Sequence, residues 1–199
     1  EQFFSSERAE FGLRAEDRVL LFVGSDYWRK GLDRVLAALG VLTTDGGDVQ
    51  LLVAGGDRRQ GMFEGIARRL KLSDRVHFLG AVERPERLYA IADLLILPTR
   101  HDPFANVTLE ALACGVPVLT SAVNGAVGSM PVSRGLVVVT DECEAERTAS
   151  QISAMMEPAA WQKRSEAARG LAEQFGALEM TTRWEDFLGD QVQRRRSCA

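Results

Sequence analysis

Six short, almost wholly apolar runs separated by segments of helical spacing constrain this chain more than any other feature. The runs are 18–23 (RVLLFV), 49–54 (VQLLVA), 76–79 (VHFL), 94–97 (LLIL), 116–119 (VPVL) and 135–139 (GLVVV). A strand with one wet face alternates polar and apolar residues, whereas a run that is apolar throughout must be covered on both faces, as in a parallel sheet. Between the runs, Leu32, Val35, Leu36 and Leu39 fall at i, i+3, i+4 and i+7, and Phe63, Ile66, Ala67 and Leu70 repeat that spacing. Each set is one apolar helix face. Leu88, Ile91 and Ala92 form a shorter version. This alternation predicts an α/β domain with a doubly wound, mostly parallel, six-stranded Rossmann-like sheet. After Thr140 the pattern turns helical, over roughly 142–156, 159–175 and 181–192, with a boundary at Pro158. Extra C-terminal helices are therefore expected.

The chain has 199 residues, 46% hydrophobic and 26% charged, enough for one domain with a real core. Its formal net charge of −4 argues against a nucleic-acid partner, which needs a basic stripe. The basic end, Arg194 to Arg196, reads as a solvated tail, with a weak contact to an anionic membrane as the alternative. No run reaches membrane-span length and no basic-then-apolar leader opens the chain, so a cytoplasmic protein is expected. Cys114, Cys143 and Cys198 are odd in number and widely spaced, which suits reduced thiols better than a disulfide framework or a zinc site. A chain that opens at Glu1 is expected to be a piece of something longer.

In open α/β sheets ligands bind beyond the carboxyl ends of the strands, so the segments after each strand matter most. After the first comes Gly24-Ser25-Asp26-Tyr27-Trp28-Arg29-Lys30-Gly31. Gly24 lets the backbone turn. Arg29 and Lys30 are expected near a helix start, where two cations suit a diphosphate, a fork and a point charge. Cations there oppose the helix dipole, a mild cost that favours a functional reason, although a solvated helix start would carry the same residues. Gly55-Gly56-Asp57 marks a tight turn that either admits a ligand or is a plain loop. After the fourth strand, a loop from Pro98 to Ala105 runs into a helix beginning near Asn106, whose first amides are a ready anion site. Asp102 on the loop and Glu110 one turn into the helix are placed to face one ligand. Two carboxylates suit sugar hydroxyls. Alternatively, Asp102 caps the turn and Glu110 is a surface acid. His77, inside an apolar strand, reads as a packed, hydrogen-bonded residue, and His101 as a loop residue beside Asp102.

Residues 102–118 (DPFANVTLEALACGVPV) resemble the donor-site signature of the family 4 glycosyltransferases of the GT-B fold, in which an acid, seven intervening residues and a Glu run into EA-A-GxPVV. FVGSDYWRKG, the VAGG turn, RVHFLGAV and Ala92-Asp93-Leu94 before LILP match the family in order and spacing, so that the resemblance covers about residues 10 to 157. GSDYWRKG and LTSAVNGAV are most similar to the branch that builds lipopolysaccharide core.

The resemblance implies the donor-binding half of a retaining glycosyltransferase that moves a sugar from a nucleotide-diphosphate sugar, UDP-sugar first, to a glycan or lipid-linked acceptor. It implies Lys30 and Arg29 on the donor diphosphate and Asp102 on the donor sugar as the catalytic set. Gly24 and the backbone of Phe104, Ala105, Asn106 and Val107 would meet sugar and phosphates, and Glu110 the ribose hydroxyls. Gly80-Ala81-Val82 would border the nucleobase, and Thr120 to Gly125 the far wall. It implies no metal and no cofactor, the local cations replacing Mg²⁺. It implies attack on the face from which the diphosphate leaves, with the leaving phosphate helping to deprotonate the acceptor.

This chain departs from the pattern where Asp102 replaces a usual Glu, where Ala105 replaces a usual Gly and so adds a methyl on the sugar side, and where Ser25 stands for a frequent Arg. Its length fits only the second of the family's two domains. An N-terminal acceptor domain would complete the enzyme, which is compatible with peripheral attachment at the inner face of a membrane. Two other readings share these features: a nucleotide-sugar epimerase domain and a non-catalytic nucleotide-sugar-binding module. A dinucleotide site is disfavoured, because no G-x-G-x-x-G follows a strand.

Overall fold

The computed structural model describes residues 8–44, 48–130 and 144–176, and the backbone of 137–139. Its strands are β1 (Arg18–Val23), β2 (Val49–Ala54), β3 (Val76–Gly80), β4 (Leu94–Leu97), β5 (Val118–Thr120) and β6 (Val137–Val139). Its helices are α1 (Tyr27–Lys30), α2 (Leu32–Thr44), α3 (Gln60–Arg69), α4 (Glu86–Ile91), α5 (Asn106–Ala113), α6 (Gly125–Ser129), α7 (Ala145–Met155) and α8 (Pro158–Glu173).

The six strands form one sheet in the order β3-β2-β1-β4-β5-β6, every neighbouring pair parallel. The chain winds outward from β1 in one direction and, from β4, outward in the other. The crevice between β1 and β4 is therefore the switch point at which such sheets place their ligands.

Coverage on both faces explains the unbroken apolar runs. Leu20, Phe22, Leu51, Val53, Leu94 and Ile96 point to one side, into a core closed by residues of α2, α3 and α7. Val19, Leu21, Leu52 and Leu95 point to the other, against residues of α4, α5 and α8. Each fully buried aliphatic side chain contributes ~1.5–3 kcal/mol of transfer free energy, so neither face can be left wet.

Some boundaries differ from the sequence reading. The fifth strand begins at Val118 and not at 116, because Pro117 has no N–H and enters the ladder only through its carbonyl, which accepts from the Leu95 amide at 2.9 Å. Helix α8 begins at Pro158 itself, whose missing N–H costs nothing at a first helical position. Gly135, Cys143, the expected helix over 181–192, Arg194 to Arg196 and Cys198 lie outside the described residues. Cys114 is a free, exposed thiol. Among the described residues, no helix is long and apolar enough to cross a membrane.

Candidate functional site

Two loops meet at the β1/β4 crevice. The first leaves β1 at Gly24 and makes the single turn of α1. Tyr27 anchors that turn. It is fully buried, its ring edge-on to Phe22 and Phe63 at centroid distances of 6.0 and 5.3 Å, and its hydroxyl donates to the carbonyl of Gly55. Such aromatic pairs add ~0.5–1.5 kcal/mol beyond area burial. Burial, with the nearby Asp57 charge, pushes the Tyr27 hydroxyl up to about 12. Asp57 accepts from the amides of Tyr27 (2.7 Å) and Arg59 (2.6 Å). The Gly55-Gly56-Asp57 turn is thus a brace for α1. A Cβ on Gly55 would collide with the Gly24 carbonyl carbon at 2.7 Å.

Arg29 and Lys30 stand just before the helix that starts at Leu32, as the sequence reading places them, and they also close the single turn of α1, after an N-cap at Asp26 in the left-handed region (φ 57°) and before Gly31 (φ 86°). As the last-turn residues of α1 they sit where a positive charge suits the helix dipole. The stem of Lys30 lies over Gly24, where an added Cβ would come within 3.3 Å of its Cγ.

The second loop follows β4. Its Asp102, only 6% exposed, pairs with Lys30 Nζ, and Arg29 Nη1 stands 3.6 Å from the same carboxylate oxygen. Arg29 is further held by Asp26 (Nε–Oδ2, 3.1 Å) and by the carbonyl of His101 (3.0 Å). The loops are also stitched through backbone. The Arg29 carbonyl accepts from the Arg100 amide at 2.7 Å and from the Thr99 hydroxyl at 2.9 Å. Arg100 forms a bidentate pair with Asp33 (2.8 and 2.7 Å) and lies 3.8 Å over the exposed Trp28 ring.

Asn124, within the segment expected to form the far wall, fixes that side of the site. Fully buried, it uses its whole amide. Oδ1 accepts from the amides of Ala105 (3.3 Å) and Ala126 (3.1 Å), and Nδ2 donates to the hydroxyls of Thr108 and Thr120, each at 3.1 Å. Thr120 in turn donates to the Leu97 carbonyl at 2.7 Å. One side chain therefore ties β4, β5, α5 and α6 together. The Asn-Gly pair at 124–125 signals a turn in the sequence, but nothing there shows what the amide holds. Gly125 is packed so closely on the Asp102 loop that a Cβ would sit 2.7 Å from the Pro103 carbonyl carbon, and its amide donates to the Asp102 carbonyl at 2.8 Å.

The remaining expected residues divide. Phe104 is 38% exposed at the loop tip, and its amide donates to Asp102 Oδ1 at 3.2 Å. The Ala105 methyl is 2% exposed and belongs to the core, so it does not occupy the sugar side. With the amides of Phe104 and Ala105 engaged, the first-turn amides of α5 at Asn106 and Val107 are the ones a helix start leaves without intrahelical partners. Glu110 is exposed and not in contact with the Lys30–Asp102 cluster. Its Oε2 accepts from the Tyr89 hydroxyl at 2.8 Å. Gly80 (φ 66°) ends β3, two strands and ~10 Å from β1 at the usual strand spacing. Ala81 beside it is exposed, and Val82 is half-buried against the core. His77 meets Gln50 at 3.0 Å, and burial holds its ring below the usual histidine range. Among the described residues, no three His, Cys, Asp or Glu side chains converge as a metal set.

A parallel sheet in this strand order, with two cations and an acid meeting at its switch point, defines a doubly wound α/β domain of the Rossmann-like class. The sequence profile of the family described as "Glycosyl transferases group 1" matches residues 3–169, and the chain belongs to that family. It is 38% identical over 118 residues to the lipopolysaccharide glucosyltransferase WaaG of Escherichia coli, covering 59% of this chain and 32% of that one. It is 36% identical over 148 residues to the D-inositol 3-phosphate glycosyltransferase of Mycobacteroides abscessus, covering 70% of this chain and 32% of that protein. The crystal structure of WaaG, a glycosyltransferase involved in lipopolysaccharide biosynthesis, superposes with a TM-score of 0.75 at 30% identity over 84% of this chain and 46% of the other. Anabaena HepE in complex with UDP-glucose shares the fold, with a TM-score of 0.81 at 23% identity over 95% and 53% of the two chains. The chain spans about a third of the length of the curated relatives it matches.

Proposed function

We propose that this chain is the donor-binding half of a retaining glycosyltransferase, and that a UDP-sugar is its donor. The convergence of Lys30, Arg29 and Asp102 at the β1/β4 switch point carries the reading. A diphosphate arriving there meets two cations held by a rigid turn. As the bond to the sugar breaks, negative charge grows on the leaving diphosphate, and fixed cations in a partly dry site stabilise that charge without reorganising. Lys30 and Arg29 thus act on the leaving group, with no metal and no covalent sugar–enzyme intermediate. Asp102, released from Lys30 or shared with it, accepts from sugar hydroxyls. The α5 amides at Asn106 and Val107 add donors for phosphate, Gly24 gives the phosphates room beside the backbone, and Gly80, Ala81 and Val82 border the base. Glu110 accepts from the ribose. A fold-level analogy supports the donor class, since HepE of the same fold was crystallised with UDP-glucose. The acceptor, a glycan or lipid-linked glycan of lipopolysaccharide type, is read by a second, N-terminal domain, and the assembled enzyme works in the cytoplasm at the membrane face.

Titration calorimetry of the chain with UDP, ADP and GDP tests this. UDP binds, and Lys30→Met weakens it by ~1.5–3 kcal/mol, the worth of a hydrogen bond to a charged group. Failure of all three nucleotides to bind overturns the reading.

A further inference from the structure

We propose that Tyr89 is a positioning residue for the ribose of the donor, acting through Glu110. The inference rests on the assignment of Glu110 to the ribose hydroxyls. Tyr89 stands on α4 and Glu110 on α5, 21 residues on, and the two helices bring the buried hydroxyl of one to the exposed carboxylate of the other at 2.8 Å. A glutamate on a helix surface ordinarily samples several rotamers, and ordering it for a ligand costs side-chain entropy. Here a side chain only 3% exposed holds Oε2 in place before any ligand arrives. Oε1 meets no protein donor among the described residues. A carboxylate with one oxygen fixed and the other open is a pre-aimed acceptor. Preorganisation of that kind raises affinity by cutting the ordering cost. Burial, reinforced by the bond to Glu110, pushes the Tyr89 hydroxyl far above its ordinary range, so it remains a donor wherever the protein is folded. The simpler role, a buried hydroxyl that merely needs a partner, predicts the same bond but a different response to its loss.

The two roles separate in the discrimination between UDP and 2′,3′-dideoxy-UDP, which lacks only the ribose hydroxyls. The wild type should prefer UDP by about tenfold or more. Tyr89→Phe should cut that preference at least about threefold, while the dideoxy analogue binds as before. A merely structural tyrosine would weaken both nucleotides alike and leave their ratio unchanged, and a wild-type ratio in Tyr89→Phe overturns the proposal. Glu110→Asp draws the carboxylate one methylene away from the hydroxyl and serves if Tyr89→Phe does not fold. It should lose the same preference, and retention of the wild-type ratio is again fatal. Glu110→Gln tells the two levels apart. If it keeps the wild-type ratio, the ribose assignment itself falls, whereas if it loses the ratio and Tyr89→Phe does not, only the role of Tyr89 falls.

Discussion

Lys30 and Asp102, 72 residues apart, form an ion pair that joins the turn after β1 to the loop after β4. Their side chains are 12% and 7% exposed, so neither charge is well solvated alone. Arg29, at 3.6 Å, is a second cation on the same carboxylate.

Removing Lys30 therefore costs stability as well as ligand binding. A partly buried ion left without its partner costs up to ~3–5 kcal/mol, and Arg29 offsets part of that. Lys30→Met should lower stability by about 1–2 kcal/mol. Asp102→Asn on the Lys30→Met background should cost little more, because the charge left behind is then gone. A double-mutant cycle by urea denaturation measures this coupling. Strict additivity of the two changes would show that the pair is not energetically linked.

Asn124→Ala should be among the most damaging single changes in the domain. It strips the amides of Ala105 and Ala126 of their side-chain acceptor and the Thr108 and Thr120 hydroxyls of a donor, while Thr120 keeps its bond to Leu97, in a dry interior where each group left unsatisfied costs ~1–3 kcal/mol. A loss of about 3 kcal/mol or more is expected by thermal or urea unfolding. Asn124→Asp should also be severe, since it replaces the Nδ2 donor with a charge at a fully buried position.

Close backbone approach predicts a contrast among glycines. Gly31→Ala and Gly125→Ala each force a methyl onto backbone, 2.9 Å from the Pro98 carbonyl carbon in one case and 2.7 Å from that of Pro103 in the other. Each should destabilise by about 2 kcal/mol or more. Gly56→Ala meets nothing within 4 Å and should be nearly neutral. Melting temperatures of the three variants check the ranking.

Asp57 makes stability fall in acid. Burial alone would raise its carboxyl, but the amides of Arg59 and Tyr27 and the neighbouring arginines outweigh burial and hold it below the ordinary carboxylate range. A folded pKa below the unfolded one binds the proton less tightly in the native state. That stability is whole above about pH 4 and is lost as the pH drops through the lowered value. Asp57→Asn should flatten the acid limb of a stability–pH curve between about pH 5 and 2. An unchanged limb would count against the brace under α1.

The architecture was legible because its signals are local. A run such as RVLLFV has to be covered on both faces wherever it lies, and six such runs with helical spacing between them leave few alternatives to a parallel sheet. The acid–x7–Glu stretch and the RK pair were visible in the same way. Less legible was the setting of α1. Arg29 and Lys30 follow a glycine at a strand end and precede the helix that starts at Leu32, which the periodicity shows, but the turn they close has no local signal. The left-handed Asp26 and Gly31 confine them to one turn, and that depends on how Tyr27 packs.

Composition and periodicity by themselves determined the fold class, the strand order in chain sequence, and the residue types available for a diphosphate and a sugar, because those depend on neighbours a few positions apart. Only the tertiary structure decided that Lys30 meets Asp102, that Asn124 ties four elements together, that the Ala105 methyl turns into the core, and that Tyr89 holds Glu110. Each of these is a contact between distant segments, set by how the covered faces of one sheet bring its loops to a common edge, and no local pattern encodes such a contact.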